Sequence, residues 1–312
     1  MPHSADLYDS IAGAPDVPTG LPLVILLTGF TDAGSAVAGL IDHLDATASP
    51  QTLVAFDNDV LLDYRARRPV IVFDQDHLTE FRPARLELAL AHDALGQPFL
   101  LLSGYEPDFA WNAFTEAILS FVDAFQVSSV SWVHSIAMPV PHTRPLGTTV
   151  SGNRRDLAAA HSVWRPRTQV PATVGHLLEY RLVEHDVRVA GFVLLVPHYL
   201  ADTENPDTVL TAADKLMVAT GLVLRMDEVH ARSEEYLARV QDQVTGSDEL
   251  TQMVHTLERR YDAYMAGREG DSETGGADEA FDERDLPSAD ELAAELERYL
   301  ANRRPGDEDR RA

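Results

Sequence analysis

The sequence predicts an α/β fold built on an open, mostly parallel sheet, with helices appended towards its C-terminal end. Three observations carry this. Leu23-Val24-Ile25-Leu26-Leu27, after Pro22, is apolar throughout, as a strand buried on both faces must be. The glycine-bearing turn Thr28–Gly34 follows, and then Ala36, Val37, Leu40, Ile41 and Leu44 at helical spacing, which makes the first half of a βαβ unit. Beyond Pro206 the pattern turns wholly helical.

The other elements can be justified in order. Residues 1–20 hold Pro2, Gly13, Pro15, Pro18 and Gly20 and read as an irregular lead-in. Thr52 to Phe56 is a short strand, and Val70 to Phe73 is β-like after the basic cluster Tyr64–Pro69. Leu86, Leu88 and Leu90 alternate with Glu87, Ala89 and Ala91, the period of a half-exposed strand. A turn containing Gly96 joins it to Phe99–Ser103 as an antiparallel hairpin. Trp111, Phe114, Ile118, Phe121, Val122 and Phe125 mark one helical face. Val127–His134 is a strand followed by a long loop, Ser135–Pro145, and Thr148–Ser151 is a short strand. Val174, Leu177, Leu178 and Leu182 lie on a helix, and Val187–Val196 is the last strong strand. Helices are expected at about 206–222, 226–245 and 248–265, the third capped by Ser247. The expected organisation is therefore a lead-in (1–20), an α/β core (21–205), a helical subdomain (206–266), a flexible acidic linker (267–286), a capped docking helix (287–300) and a charged tail (301–312).

Composition narrows the function classes. There is no cysteine, which excludes disulfides, thiolate zinc sites and cysteine nucleophiles. The net charge of −25 argues against non-specific nucleic-acid binding. From Arg268 to Ala312 there are 15 Asp/Glu against 7 Arg, a balance of −8. No apolar run approaches the ~20 residues of a membrane helix, so a soluble, cytoplasmic protein with no membrane partner is expected.

Four strands end in loops with chemical potential: Gly29–Gly34, Gly104–Asp108, Ser135–Arg144 and Pro197–Tyr199. In an open sheet the carboxyl ends of parallel strands share one side and form the ligand crevice. Asp32, Asp108, His142, Arg144 and His198 are expected to converge there. The loop from Gly29 to Gly34 offers backbone N–H groups and a helix start to an anion. It is neither a P-loop, since Ser35 and Ala36 replace Lys and Ser/Thr, nor a dinucleotide fingerprint, since Thr31 replaces the second glycine. The simpler reading is a tight turn with Asp32 capping the helix, and Asp108 likewise suits a helix cap. His142 and Arg144, in a proline-stiffened loop, either hold a carboxylate or phosphate or brace the loop through a buried acid. His198 is a candidate base or a hydrogen-bonded structural histidine. The histidines show no metal-ligand spacing, HExxH and GxSxG are absent, and no metal or cofactor is expected.

Gly-Phe-Thr-Asp-Ala-Gly (29–34), Tyr-Arg-Ala-Arg-Arg-Pro (64–69), Gly-Tyr-Glu-Pro-Asp-Phe-Ala-Trp (104–111), Met-Pro-Val-Pro-His-Thr-Arg-Pro (138–145) and Val-Pro-His-Tyr-Leu (196–200) together resemble the bacterial branch of the proteasome assembly chaperone 2 family, over about residues 20–245. The resemblance implies a three-layer α/β/α core with a mixed sheet, similar to phosphorylases and related hydrolases. It also implies a protein-binding, chaperone-like role, homo-oligomerisation with a trimer favoured, and proteasome subunits as candidate partners. The chain ends Asp309-Arg310-Arg311-Ala312, without the hydrophobic-Tyr-any ending by which many proteasome partners dock, so docking by the tail is not expected. The alternative function is a hydrolase or phosphorylase acting on an anionic small molecule, with Asp32 or His198 as base and His142 and Arg144 on the anion. Fold likeness alone does not carry that activity.

Overall fold

The computed structural model describes residues 4–165 and 167–272. Its strands are β1 (Tyr8–Ser10), β2 (Pro22–Thr28), β3 (Gln51–Phe56), β4 (Val70–Asp74), β5 (His77–Arg82), β6 (Leu86–His92), β7 (Pro98–Tyr105), β8 (Ser129–Met138), β9 (Gly147–Gly152) and β10 (Val189–Pro197). Its α-helices are α1 (Ala36–Thr47), α2 (Asn58–Leu61), α3 (Trp111–Ala124), α4 (Arg155–His161), α5 (Val174–Glu184), α6 (Pro206–Thr220), α7 (Asp227–Thr245) and α8 (Asp248–Ser272).

Eight strands form one sheet in the order β1-β3-β6-β7-β2-β8-β10-β9. The apolar run of β2 sits between β7 and β8 and is parallel to both. β10 is parallel to β8, and β9 closes that edge antiparallel. On the other side β7-β6-β3-β1 are joined antiparallel. Followed across the sheet, β2, β3, β7, β8 and β10 run one way and β1, β6 and β9 the other, so the sheet is mixed and mostly parallel.

Alternation within β2 divides the core into two layers. Val24 and Leu26 face a cluster that includes Val37, Leu40 and Leu44 of α1 and Val209, Ala213 and Leu216 of α6. Leu23 and Ile25 face the opposite cluster, with Phe114 and Ile118 of α3 and Leu178 and Leu182 of α5. Each fully buried Leu, Val or Phe contributes roughly 1.5–3 kcal/mol of transfer free energy, which is why a five-residue apolar run is the natural centre of the sheet.

Several expectations change. The 86–91 strand is buried on both faces, Glu87 included, because helices cover both sides of the sheet. Glu87 is satisfied by Thr52 Oγ1, which donates to Oε2 at 2.9 Å. The lead-in contains β1, an edge strand anchored by fully buried Leu7 and by Tyr8, whose ring packs against Phe56 and Phe121. β8 runs four residues past His134, so the first part of the expected long loop is strand. α6 lies in the layer over β8 and β10, so it belongs to the core and does not begin a separate subdomain. α8 continues to Ser272, into the expected linker, since Ala266, Arg268 and Glu269 are good helix formers and an isolated glycine costs only about 1 kcal/mol in a helix. One compact unit runs to Glu258, and Arg259 onward forms a second. The docking helix (287–300) and charged tail (301–312) lie outside the described residues.

β4 and β5 form a separate two-stranded hairpin. The sequence signalled only its first strand.

Candidate functional site

At the carboxyl end of β2 the chain turns through Gly29–Gly34 into α1. Asp32 Oδ1 and Oδ2 accept from the N–H groups of Val37 and Ala38 at 2.8 and 2.9 Å, and Ser135 Oγ donates to Oδ1 at 3.1 Å. The anion at the start of α1 is thus the protein's own carboxylate. The neighbouring N–H groups are also taken: Gly34 donates to Ala201 O at 2.7 Å and Phe30 to Glu106 Oε2 at 3.2 Å. Both glycines are required. Gly34 has φ +70°, and a Cβ on Gly29 would stand 2.2 Å from Glu106 Oε2.

Behind this loop lies a buried polar cluster. Glu106 Oε1 accepts from Val174 N at 2.6 Å, tying the end of β7 to the start of α5. Thr31 Oγ1 lies 3.2 Å from His134 Nε2 and donates to Ser135 O at 3.1 Å. His134 and His176 face each other edge-on with ring centroids 6.1 Å apart, and the edge of Trp132 completes the group at 5.1 Å from His176. Burial first, then the neighbouring His176, pushes His134 down to about 4, and burial also lowers His176. An imidazole at about 4 is neutral at pH 7 and a weak general base. The cavity here, lined by Gly29, Glu106, Trp132, His134, Thr173 and Gly175, measures about 20 Å³. That is room for about one water molecule, whereas ligand pockets span roughly 300–1,000 Å³.

The other predicted site residues stand elsewhere. Asp108 is not a helix cap, because α3 begins three residues later, at Trp111, behind Ala110, which is left-handed at φ 55°. It pairs instead with Arg67 and accepts from Asp63 N at 2.7 Å. Arg67 also donates to Glu106 O at 2.6 Å and stacks over the Tyr105 ring at 5.3 Å, fastening the root of the β4–β5 hairpin to the end of β7. His142 and His198 flank Tyr199. Tyr199 Oη accepts from His142 N at 2.8 Å and lies 2.7 Å from His142 Nδ1, while His198, exposed on a 3-10 turn, sets its ring perpendicular to that of Tyr199. Burial raises Tyr199 to about 12. Arg144 pairs with Glu258 of α8 at 3.4 Å, and Thr143 Oγ1 donates to the same carboxylate at 2.6 Å. These contacts join the loop after β8 to α8 through Glu258, a partly exposed acid. With Arg144 about a third exposed, Arg144→Ala is expected to cost on the order of 1 kcal/mol or less in urea unfolding.

The expected convergence therefore resolves into three groups: Gly29, Asp32 and Gly34 with the His134 cluster, Asp108 with Arg67, and His142, Arg144 and His198 around Tyr199 and Glu258. Among the described residues no group of three or more His, Asp or Glu is placed to hold a metal, and no helix is long and apolar enough to cross a membrane.

Residues 26–244 match the model of the PAC2 family. The chain belongs to the PAC2 family. Among solved structures it is similar to the Mycobacterium tuberculosis protein of unknown function Rv2714, at 35% identity over 85% of this chain and 92% of that one, with a TM-score of 0.80. A Corynebacterium glutamicum protein of unknown function matches at 31% identity over 83% and 98%, also at 0.80. The M. tuberculosis proteasome-assembly chaperone homologue Rv2125 shares the fold at 20% identity over 75% and 100%, with a TM-score of 0.68. No curated protein matches the chain.

In this PAC2 chain, sequence reasoning missed Glu106, His134, His176 and Tyr199 as members of the clusters. Signals for them exist. Glu106 lies inside a quoted motif, His134 is a polar residue at the buried end of a strand, and His176 stands three residues after Thr173, the spacing of a capping box.

Proposed function

We propose that this PAC2-family protein is a chaperone-like, protein-binding homo-oligomer of the cytoplasm, without catalysis, with proteasome subunits as candidate partners. The observation that carries the reading is the β4–β5 hairpin. Val70, Phe73, Leu78 and Phe81 are 60–68% exposed, and Ile71 is exposed too. An isolated two-stranded hairpin is marginally stable in water at best, and apolar side chains on both its faces favour a covering partner. An exposed apolar arm suits the body of a second copy as its covering partner, and head-to-tail use of such a contact closes a ring when the rotation between copies closes. A trimer is the form we favour.

The hydrolase or phosphorylase alternative has less support. Asp32 and Arg144 are engaged in internal bonds, and the cavity beside the strand ends takes about one water.

Light scattering on the purified chain tests self-association. The wild type is expected at three times the 34.3 kDa chain mass, and Phe73→Ser with Phe81→Ser at one, with an unchanged circular-dichroism spectrum. A monomeric wild type, or a double variant that keeps the oligomer, would count against the hairpin as the arm. Co-expression with the host's proteasome α-subunits, followed by native mass, tests the partner.

A further inference from the structure

We infer that the N-terminus of α5 is a proton-operated latch, closed only while His176 is neutral. A capping box ordinarily places Glu or Gln at the third helical position, where the side chain accepts the N–H of the cap residue. Here that position holds a histidine. His176 Nδ1 accepts from Thr173 N at 3.0 Å and lies 2.9 Å from Thr173 Oγ1, and that hydroxyl oxygen accepts in return from His176 N at 3.3 Å. Only an imidazole with a free lone pair on Nδ1 makes this bond. A proton on Nδ1 turns the acceptor into a donor facing the N–H of Thr173.

The surroundings raise the consequence of that proton. His134 on β8 faces His176 at 6.1 Å, so a second imidazolium would be a like charge in a buried place. The carboxylates facing the pair are Glu106, which holds the next helical N–H at Val174, Asp32 across the β2–α1 loop, and Glu179 one turn along α5. Asp32 is committed to the start of α1, and Glu179 to Trp132 Nε1 at 2.7 Å and Ser151 Oγ at 2.8 Å. Glu106 therefore remains to hold the helix start when His176 lets go. Upstream, residues 167–172 are exposed and outside regular structure, so the latch is where this connection is fastened to the core.

The sign of the pH dependence follows from linkage. Both imidazoles are held below the 6.5 of an exposed histidine, so the unfolded chain binds more protons than the folded one between 6.5 and about 4, where His134 titrates. The stability contributed by this pair is complete above 6.5 and is lost as pH falls through that window.

Hydrogen exchange of the full chain at pH 7 and pH 5, corrected for intrinsic rates, reads the latch. Amides of Val174 to Leu178 are expected to exchange at least tenfold faster at pH 5 in the wild type. His176→Gln keeps an acceptor that does not titrate and should abolish the difference. Equal protection at both pH values, or the same acid response in His176→Gln, would overturn the proposal. So would a response that survives in His176→Gln and disappears in Glu106→Gln. Should His176→Gln fail to fold, the NMR shifts of the His176 ring in the wild type decide. The proposal requires the tautomer protonated on Nε2 at pH 7, and the Nδ1-protonated tautomer would reject it.

Discussion

Asp32→Ala is expected to destabilise the protein by about 3 kcal/mol. A helix cap is worth roughly 0.5–2 kcal/mol, and hydrogen bonds to a charged acceptor roughly 1.5–3 kcal/mol each, not fully additive. Here one carboxylate takes two helical N–H groups and the hydroxyl of Ser135, and all three lose their partner together. Urea unfolding should show a lower midpoint at unchanged slope. Asp32→Asn keeps one oxygen acceptor and should recover about half the loss, since neutral bonds are roughly half as strong as charge-assisted ones. A catalytic Asp32 would behave differently. Both variants would then be as stable as the wild type and differ from it only in turnover.

This residue shows how far the sequence can be read. An aspartate between a buried strand and an amphipathic helix is legible as a cap, because caps are local and act within one turn. The core around it is legible for the same reason, since the apolar period of β2 and α1 is written in consecutive residues. The candidate site is not local. Glu106, Thr31, His134 and His176 come from four separated segments, and no spacing along the chain encodes a 6.1 Å contact between β8 and α5. The sequence placed His142, Arg144 and His198 at strand ends but was silent on Tyr199 and Glu258, which decide where those side chains go. Glu87 misled for a related reason. A charged residue in an alternating strand implies an exposed face, but Thr52 Oγ1 on the neighbouring β3 satisfies this one inside the sheet. The hairpin was half legible, because exposed strands lack the alternation that a buried face imposes.

Gly29→Ala is expected to cost about 3 kcal/mol, and most of that cost should disappear when Glu106 is removed. An added Cβ would stand 2.2 Å from Glu106 Oε2 and 2.9 Å from its Cδ, distances at which one group must move. Glu106 is 8% exposed, and its carboxylate holds Val174 N and Phe30 N. Displacing it adds roughly 1–3 kcal/mol of overpacking to the loss of one strong and one weaker bond to a charged acceptor. Glu106→Ala alone leaves the start of α5 without its carboxylate and is expected to cost about 2 kcal/mol. In the double variant the methyl group enters the vacated space, so the pair should be less destabilised than the sum of its parts by about 2 kcal/mol. The double-mutant cycle in urea measures that difference. Strict additivity would mean that the cost of Gly29→Ala does not arise from the approach of Glu106, and the tie between the β2–α1 loop and α5 would have to lie in other residues.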